Sequence, residues 1–256
     1  KPLQNTLFEE LKARIVKDDN SVPVKDGKYW YHSEVRGDDE YSRHYRSTSI
    51  KADNKELLLD VNVLAEGFEF FELGEVALSP CEQLMAYSED TEGRRIYNVR
   101  FKSLATGEML PDVLENTEGQ VVWANDNKTV FYVKKDLKTL LGYQVFRHEL
   151  GSEQSQDVMV YEEQDSSFFM GLGKSRDESL IIIDLASTET NDTWVLDANK
   201  PTGEFKALMP REDGHEFDVD KLGDTFYIVT NWQAKNFRLM TATNETIADK
   251  TQWFEH

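Results

Sequence analysis

The chain has 256 residues, enough to bury a sizeable core, and its 29 Lys and Arg stand against 48 Asp and Glu for a formal charge of −19. This balance argues against nucleic acid and anionic membranes as partners, because phosphate groups are bound by cationic surfaces. The single cysteine, Cys81, excludes a disulfide framework within the chain, and no apolar run is long enough to span a membrane. We expect a cytoplasmic protein, with a periplasmic location left open because the chain begins at Lys1 and not at Met.

An amphipathic helix is predicted at the N-terminus. Five apolar residues recur at helical spacing with charged residues between them: Leu3, Leu7, Phe8, Leu11 and Ile15. The helix is predicted to end near Lys17–Asn20, so residues 1–20 are assigned to a helix and linker. Its apolar stripe needs a surface on which to pack.

From residue 21 onward the pattern changes to short strands that recur along the chain. Five aromatic or β-branched runs each follow a polar turn: Gly27–Glu34, Glu82–Glu89, Lys128–Lys135, Glu178–Leu185 and Gly223–Thr230. Their centres lie at residues 30, 86, 131, 181 and 226, which gives spacings of 56, 45, 50 and 45 residues. Several strands within a repeat of this length are typical of a β-propeller blade.

Further strands complete each repeat. A second apolar run follows each of the first runs: Tyr41–Arg46, Ile96–Phe101, Tyr143–Arg147, Thr193–Leu196 and Phe237–Met240. Three outer strands are predicted at Glu108–Leu114, Asp157–Glu163 and Glu204–Met209. Asp53–Leu64 is ambiguous between a strand and a turn that leads into a short helix. The sequence therefore predicts an all-β fold, a β-propeller of about five blades over residues 21–256.

The last repeat ends close to the end of the chain. Asn244–His256 is long enough for one more strand but not for another blade. Two arrangements stay open: five blades that close on themselves, or the first part of a larger ring.

The sequence gives little support for a cofactor, a metal or a nucleophile. Gly173-Lys174-Ser175 resembles the end of a phosphate loop but lies between strands, and Asp218–Gly223 resembles a calcium loop but lacks the ligand pattern. The histidines form no close pair, which disfavours zinc, and no Gly-x-Ser-x-Gly elbow occurs. We therefore expect no cofactor, no metal and no catalytic residue in this chain.

Two charged loops form the candidate binding surface. Arg94 and Arg95 lie in the turn between two strands of the second repeat, and Glu69 lies in the preceding loop beside Phe68 and Phe70. Loops that alternate charges with aromatic residues favour docking of a partner. The simpler alternative is a solvated turn with ordinary surface ion pairs.

Four segments of the chain resemble the sequences of a known protein family. They are LFEELKARIVKDDNSVPVKDGKYWY at 7–31, ALSPCEQLMAYSEDTEGRRIYNVRFKSLATGE at 77–108, PREDGHEFDVD at 210–220 and KNFRLM at 235–240. Together with shorter blocks between them, they resemble the oligopeptidase B (protease II) branch of the prolyl oligopeptidase family of serine peptidases. The resemblance covers nearly all of the chain, in order.

This resemblance implies a seven-bladed propeller, of which the chain supplies the first five blades. It also implies a serine-type endopeptidase that cleaves short peptides after Arg or Lys, with its triad on a C-terminal α/β-hydrolase domain beyond the propeller. The partners so implied are that domain and short basic peptides, and Glu69, Arg94 and Arg95 match the interdomain face. The chain as given is then predicted to be inactive. The alternative is a stand-alone five-bladed binding or scaffold module.

Overall fold

The computed structural model describes residues 1–51 and 54–255. Its helices are α1 (Pro2–Ala13) and α2 (Val61–Leu64). The strands are β1 Asp19–Asn20, β2 Val24–Asp26, β3 Tyr29–Val35, β4 Arg43–Ser47, β5 Glu56–Asp60, β6 Glu72–Leu78, β7 Leu84–Asp90, β8 Tyr97–Ser103, β9 Met109–Trp123, β10 Thr129–Lys135, β11 Gly142–Glu149, β12 Val158–Glu162, β13 Phe169–Lys174, β14 Leu180–Ala186, β15 Asn191–Asp197, β16 Lys206–Ala207, β17 Phe217–Leu222, β18 Thr225–Thr230, β19 Arg238–Thr243 and β20 Phe254–Glu255. The chain forms two compact units, Lys1–Phe70 and Phe71–His256.

The first unit begins with the predicted helix. Pro2 lies in the first turn, where its fixed φ suits a helix and its missing N–H costs nothing. The helix ends at Ala13, before the predicted Lys17–Asn20, because residues 19 and 20 extend and pair with β3 instead. No residue of α1 is buried, so its apolar stripe is exposed to solvent: Leu3, Leu7, Phe8 and Leu11, with Ile15 just beyond the helix.

The first unit also contains one antiparallel sheet. Its order is β1-β3-β4-β5, and β2 pairs with β3 along the same edge as β1, so the sheet is four strands wide. The ambiguous segment Asp53–Leu64 contains both predicted elements, since β5 leads directly into α2. Asp60 caps this short helix by accepting a hydrogen bond from the backbone N–H of Asn62. Asp53 itself lies outside the described residues.

The second unit contains three antiparallel sheets, in which strands that follow one another in the chain are neighbours. They comprise β6–β12, β13–β16 and β17–β20. The first part of β9 pairs mainly with β8 and its last part with β10, so the seven-stranded sheet is two four-stranded groups that share β9. The strand turns at Asn116 (φ 60°) and Gly119 (φ 102°). A Cβ on Gly119 would lie 3.0 Å from the Tyr97 ring, which explains why glycine stands there.

The repeat read from the sequence is confirmed strand by strand. The five apolar runs form β3, β7, β10, β14 and β18, and each pairs with the strand formed by the run that follows it. The end of the chain adds one short strand, β20, which pairs with β19. The described residues therefore contain five four-stranded groups, and the all-β prediction is confirmed.

In the second unit the core lies between successive four-stranded groups. One cluster joins Phe131 and Val133 of β10 to Leu172 of β13 and Ile183 of β14. The next cluster sets Phe226, Ile228 and Met240 of the last sheet against Leu180 and Val195 of the sheet before it. Each group thus buries one face against its successor, which is the packing that stacked antiparallel sheets require.

Candidate functional site

The loop that carries Arg94 and Arg95 connects β7 to β8 and has a fixed backbone. Asp90, at the end of β7, is 1% exposed, and its carboxylate accepts hydrogen bonds from the backbone N–H groups of Glu92, Gly93 and Arg95 at 2.9, 3.0 and 2.7 Å. Arg95 itself has φ 56°, a left-handed conformation that is uncommon for a long side chain. A buried carboxylate therefore holds the loop in a conformation that the sequence would not otherwise favour.

The side chains of Arg94 and Arg95 are exposed and have no hydrogen-bond acceptor among the described residues. The chain contains eleven arginines, and each of the other nine contacts a carboxylate or a backbone carbonyl. Within residues 1–51 and 54–255, neither guanidinium of this loop makes a hydrogen bond or an ion pair. In a chain with 48 acidic residues this is an exception, and it leaves two cations available to a partner.

Next to Arg95 lies an ion pair between a buried lysine and a half-buried glutamate. The side chain of Lys135, at the end of β10, is 2% exposed, and its ammonium lies 2.7 Å from the carboxylate of Glu118 in the bend of β9. The same ammonium donates a hydrogen bond to the backbone carbonyl of Arg95. Arg95 is therefore held from two sides, by Asp90 through its N–H and by Lys135 through its carbonyl.

Two cavities flank the arginines. The first, of about 300 Å³, is lined by Arg95, Glu118, Lys135, Leu140, Leu141, Gly142, Phe169 and Met170. The second, of about 360 Å³, is lined by Thr91, Glu92, Arg94, Ile96, Asn98, Glu115, Asn116 and Leu137. Each arginine thus lines a different cavity, and the loop between β10 and β11 contributes apolar residues to both.

The third predicted residue, Glu69, lies in the first unit. Its side chain is exposed in the loop after α2, between the exposed rings of Phe68 and Phe70. It makes no hydrogen bond or ion pair with any residue that the structure describes. All three predicted residues are thus exposed charges without a partner in the part of the chain that the structure describes.

The discarded motifs lie in strands, as their hydrophobic alternation indicates. Lys174 of the Gly173-Lys174-Ser175 segment ends β13 and hydrogen-bonds the Asn125 side chain. Asp218–Gly223 lies largely in β17. Across residues 1–51 and 54–255 no group of three His, Cys, Asp or Glu side chains is arranged to hold a metal ion. None of the described helices is long and apolar enough to cross a membrane.

Sequence reasoning missed Lys135, Glu118 and the apolar walls of the first cavity. Lys134-Lys135 was visible as the polar end of an apolar run, but nothing in the sequence marked the second lysine as buried. Its partner Glu118 lies in a bend of β9 that a strand pattern does not reveal, because the pairing partners change there.

A family model described as prolyl oligopeptidase, N-terminal beta-propeller domain, matches residues 1–255. The chain belongs to this family. The prediction of a β-propeller fold and of membership in the prolyl oligopeptidase family is thereby confirmed.

Relatives of known name share the whole length of this chain. Dipeptidyl aminopeptidase BI of Pseudoxanthomonas mexicana is 41% identical over 100% of the chain, and Protease 2 of Moraxella lacunata is 27% identical over 100%. The chain spans 38% of the length of each of these two relatives.

Solved structures show the same correspondence. Oligopeptidase B from Leishmania major superposes with a TM-score of 0.91 at 31% identity, over 100% of this chain and 37% of that one. Oligopeptidase B from Trypanosoma brucei, in a closed form with covalently bound antipain, superposes with a TM-score of 0.87 at 31% identity, over 99% of this chain and 36% of that one. The resemblance to the oligopeptidase B branch is therefore confirmed, while the interdomain role of Glu69, Arg94 and Arg95 stays a prediction.

Proposed function

We propose that this chain is the substrate-gating propeller of a serine oligopeptidase that hydrolyses short peptides after Arg or Lys. The catalytic triad of that enzyme lies on a C-terminal α/β-hydrolase domain outside the chain. The observation that carries the proposal is the match of residues 1–255 to the propeller domain of the family, in a chain that spans 38% of its relatives. The names of Protease 2 and of the two oligopeptidase B structures support hydrolysis of peptides, and cleavage after Arg or Lys rests on the resemblance to the oligopeptidase B branch.

The charge of the chain suits basic peptides. A formal charge of −19 creates a negative potential that raises the local concentration of cationic substrates and speeds their encounter with the enzyme. A propeller that covers the active site admits only small or unstructured peptides, and closure over the site excludes water from the reaction.

Glu69, Arg94 and Arg95 supply charges for the interdomain contact in this proposal. All three are exposed and unpaired within the described residues, so each is free to pair with an opposite charge on the catalytic domain. Closure removes such pairs from water, which strengthens their attraction but makes a missing partner costly. These charges would then bias the balance between open and closed forms.

A second candidate function is release of dipeptides from peptide N-termini. The 41% identical relative is named a dipeptidyl aminopeptidase, and the identity extends over the whole chain. The two candidates differ in one requirement, because a dipeptidyl aminopeptidase needs a free N-terminus two residues before the scissile bond.

The test uses the complete protein that contains this chain and two fluorogenic arginyl-arginyl amides. One peptide has a free N-terminus and the other is blocked by a benzyloxycarbonyl group. Cleavage of both, abolished by a serine-directed inhibitor, is the result expected for the oligopeptidase. Cleavage of the free peptide alone identifies the dipeptidyl aminopeptidase, and cleavage of neither favours a binding or scaffold module. The matched control replaces both arginines by citrulline, which keeps the shape of the side chain and removes its charge.

A further inference from the structure

The cavity beside Arg95 combines positive charge with apolar walls. Its charged lining residues are Arg95, Lys135 and Glu118, two cations against one carboxylate. The remaining walls are Leu140, Leu141, Gly142, Phe169 and Met170. A site with net positive charge in a chain of net charge −19 is suited to a ligand that the rest of the surface repels.

The donors at this cavity are not all used. An ammonium has three N–H donors, and the described structure gives Lys135 one hydrogen-bond acceptor, the Arg95 carbonyl, beside its ion pair with the Glu118 carboxylate. The guanidinium of Arg95 has five donors and no acceptor among the described residues. A carboxylate is the group that matches the planar fork of a guanidinium, through two parallel charge-assisted hydrogen bonds.

The backbone of Arg95 is held in one conformation by hydrogen bonds on both sides. Its left-handed conformation is held by the buried Asp90 carboxylate on one side and by the buried Lys135 ammonium on the other. Uncommon backbone conformations that surrounding groups enforce are concentrated at binding sites and active sites. A solvated surface turn has no need of two buried charged groups to hold it.

The apolar walls define the rest of the ligand. Phe169 is 69% exposed at the start of β13, and Leu140 is exposed in the loop before β11. A carboxylate on a purely polar body would not cover these side chains, whereas a carboxylate next to an apolar side chain would. The C-terminal residue of a peptide has this combination when its side chain is apolar.

We propose that this cavity binds the C-terminal carboxylate of a peptide whose last side chain is apolar, with Arg95 as the carboxylate ligand and Phe169 and Leu140 against the side chain. Its use as a substrate subsite rests on the proposed function, but the binding itself does not and can be measured on the complete protein without a peptidase assay. This assignment gives Arg95 a ligand carboxylate in place of the interdomain role proposed for it above, and leaves that contact to Glu69 and to Arg94, which lines the other cavity.

The probe is N-acetyl-leucine, compared with N-acetyl-leucinamide, which has the same apolar body without the charge. The readout is the methyl resonance of Met170 in the complete protein labelled with ¹³C-methyl-methionine, assigned by its loss in Met170→Leu. We expect the acid to shift this resonance and to bind at least tenfold more tightly than the amide. Arg95→Gln should weaken the acid at least tenfold and leave the amide unchanged, whereas Phe169→Ala should weaken both.

Two controls separate this site from general charge attraction. Lys138→Gln removes the same charge from an exposed residue of the neighbouring loop and should leave binding unchanged. The α-amide of N-acetyl-glutamate offers a side-chain carboxylate with little apolar body and should bind at least tenfold more weakly than N-acetyl-leucine. Equal binding of acid and amide, an unaltered affinity in Arg95→Gln, equal binding of the glutamate derivative, or no shift of Met170 at any soluble concentration would each overturn the proposal. None of these outcomes depends on peptidase activity, so this proposal and the proposed function fail separately.

Discussion

Two strands at the same position of the repeat, β10 and β18, are buried differently. Every residue of β10 except Lys134 is buried, so both of its faces are covered. In β18 burial alternates along the strand. Phe226 and Ile228 are buried on one face, and Tyr227 and Val229 are exposed on the other. Both strands are apolar on both faces. The comparison shows that a sheet of this repeat has two apolar faces and that a neighbouring sheet can pack on each. We therefore expect a sixth blade to cover the second face of β18 in the complete protein.

Substitution of an arginine that links two neighbouring sheets through ion pairs should cause the largest loss of stability. Arg211 lies between β16 and β17 with its side chain 30% exposed, and it contacts the buried carboxylates of Glu163 at 2.5 Å and Asp192 at 3.0 Å. Arg211→Ala leaves both carboxylates without their cation, and we expect the free energy of unfolding to fall by about 3 kcal/mol. Urea unfolding of the chain measures this difference.

The matched control for Arg211 is an ion pair at the surface. Arg176 lies 3.7 Å from Asp220, and both side chains are largely exposed. Arg176→Ala should lower the free energy of unfolding by less than about 1 kcal/mol. If both variants lose the same free energy, the joint is no stronger than a solvated pair and the proposed difference between regions is wrong.

A pair of valines tests the covered and uncovered faces directly. Val133 in β10 is 0% exposed and Val229 in β18 is 45% exposed. In the chain alone, Val133→Ala should cost about 2 kcal/mol, because two buried methyl groups are lost and a cavity remains, and Val229→Ala less than about 0.5 kcal/mol. In the complete protein the cost of Val229→Ala should rise towards that of Val133→Ala. An equally small cost there would mean that nothing covers this face of β18.

Substitutions of the exposed charges Glu69 and Arg94, like those on the exposed face of β18, should have an effect only in the complete protein. Glu69→Ala and Arg94→Ala are expected to leave the stability of the chain unchanged, since neither side chain has a partner within the described residues. In the complete enzyme each should lower kcat/KM at least tenfold, which corresponds to about 1.4 kcal/mol of transition-state stabilisation. Lys138→Ala is the control. Unchanged kinetics and unchanged melting in both variants would favour the simpler alternative of solvated surface charges.

Two buried histidines should contribute to the pH dependence of stability with opposite signs. His148 of β11 lies 2.7 Å from Asp157 and 3.2 Å from Asp112. Burial alone would lower its pKa, but the two carboxylates raise it above the ordinary value. Its contribution to stability is therefore complete below the unfolded-state pKa of about 6.5 and is lost as pH rises through the folded-state pKa.

His215, beside the last sheet, has the opposite sign. Burial, assisted by Lys250, lowers its pKa to about 4, so its contribution is complete above about pH 6.5 and is lost as pH falls towards 4. As pH falls from about 6.5 to 5.5 we expect the free energy of unfolding to decrease by about 1 kcal/mol through His215. This decrease should be absent in His215→Gln. Urea unfolding of the chain, His148→Gln and His215→Gln across this range and above it measures both signs. Parallel pH profiles for the two variants would contradict the assignment.

The strand repeat was predictable because each apolar run is local and is bounded by turn residues. The β10 run, Lys128–Lys135, differs from the observed strand by one residue. The end of α1 was less predictable, because pairing of residues 19 and 20 with β3 is a contact at a distance along the chain. The sequence also led us to Arg94 and Arg95 through their charges. It did not reveal the burial of Lys135 or its pairing with Glu118, since both depend on the bend in β9 and on the packing of neighbouring sheets.

The central claim is that this chain gates a catalytic domain without taking part in the chemistry. The most direct test is hydrolysis of a blocked arginyl amide by the complete protein and, in parallel, by the purified 256-residue chain at equal molar concentration. Peptide hydrolysis of this class needs an activated nucleophile and an oxyanion hole, which the proposal assigns to the part outside this chain. We expect the complete protein to turn over the substrate, a serine-directed inhibitor to stop it, and the chain alone to be inactive. Inhibitor-sensitive turnover by the chain alone, or none by the complete protein, would contradict the account.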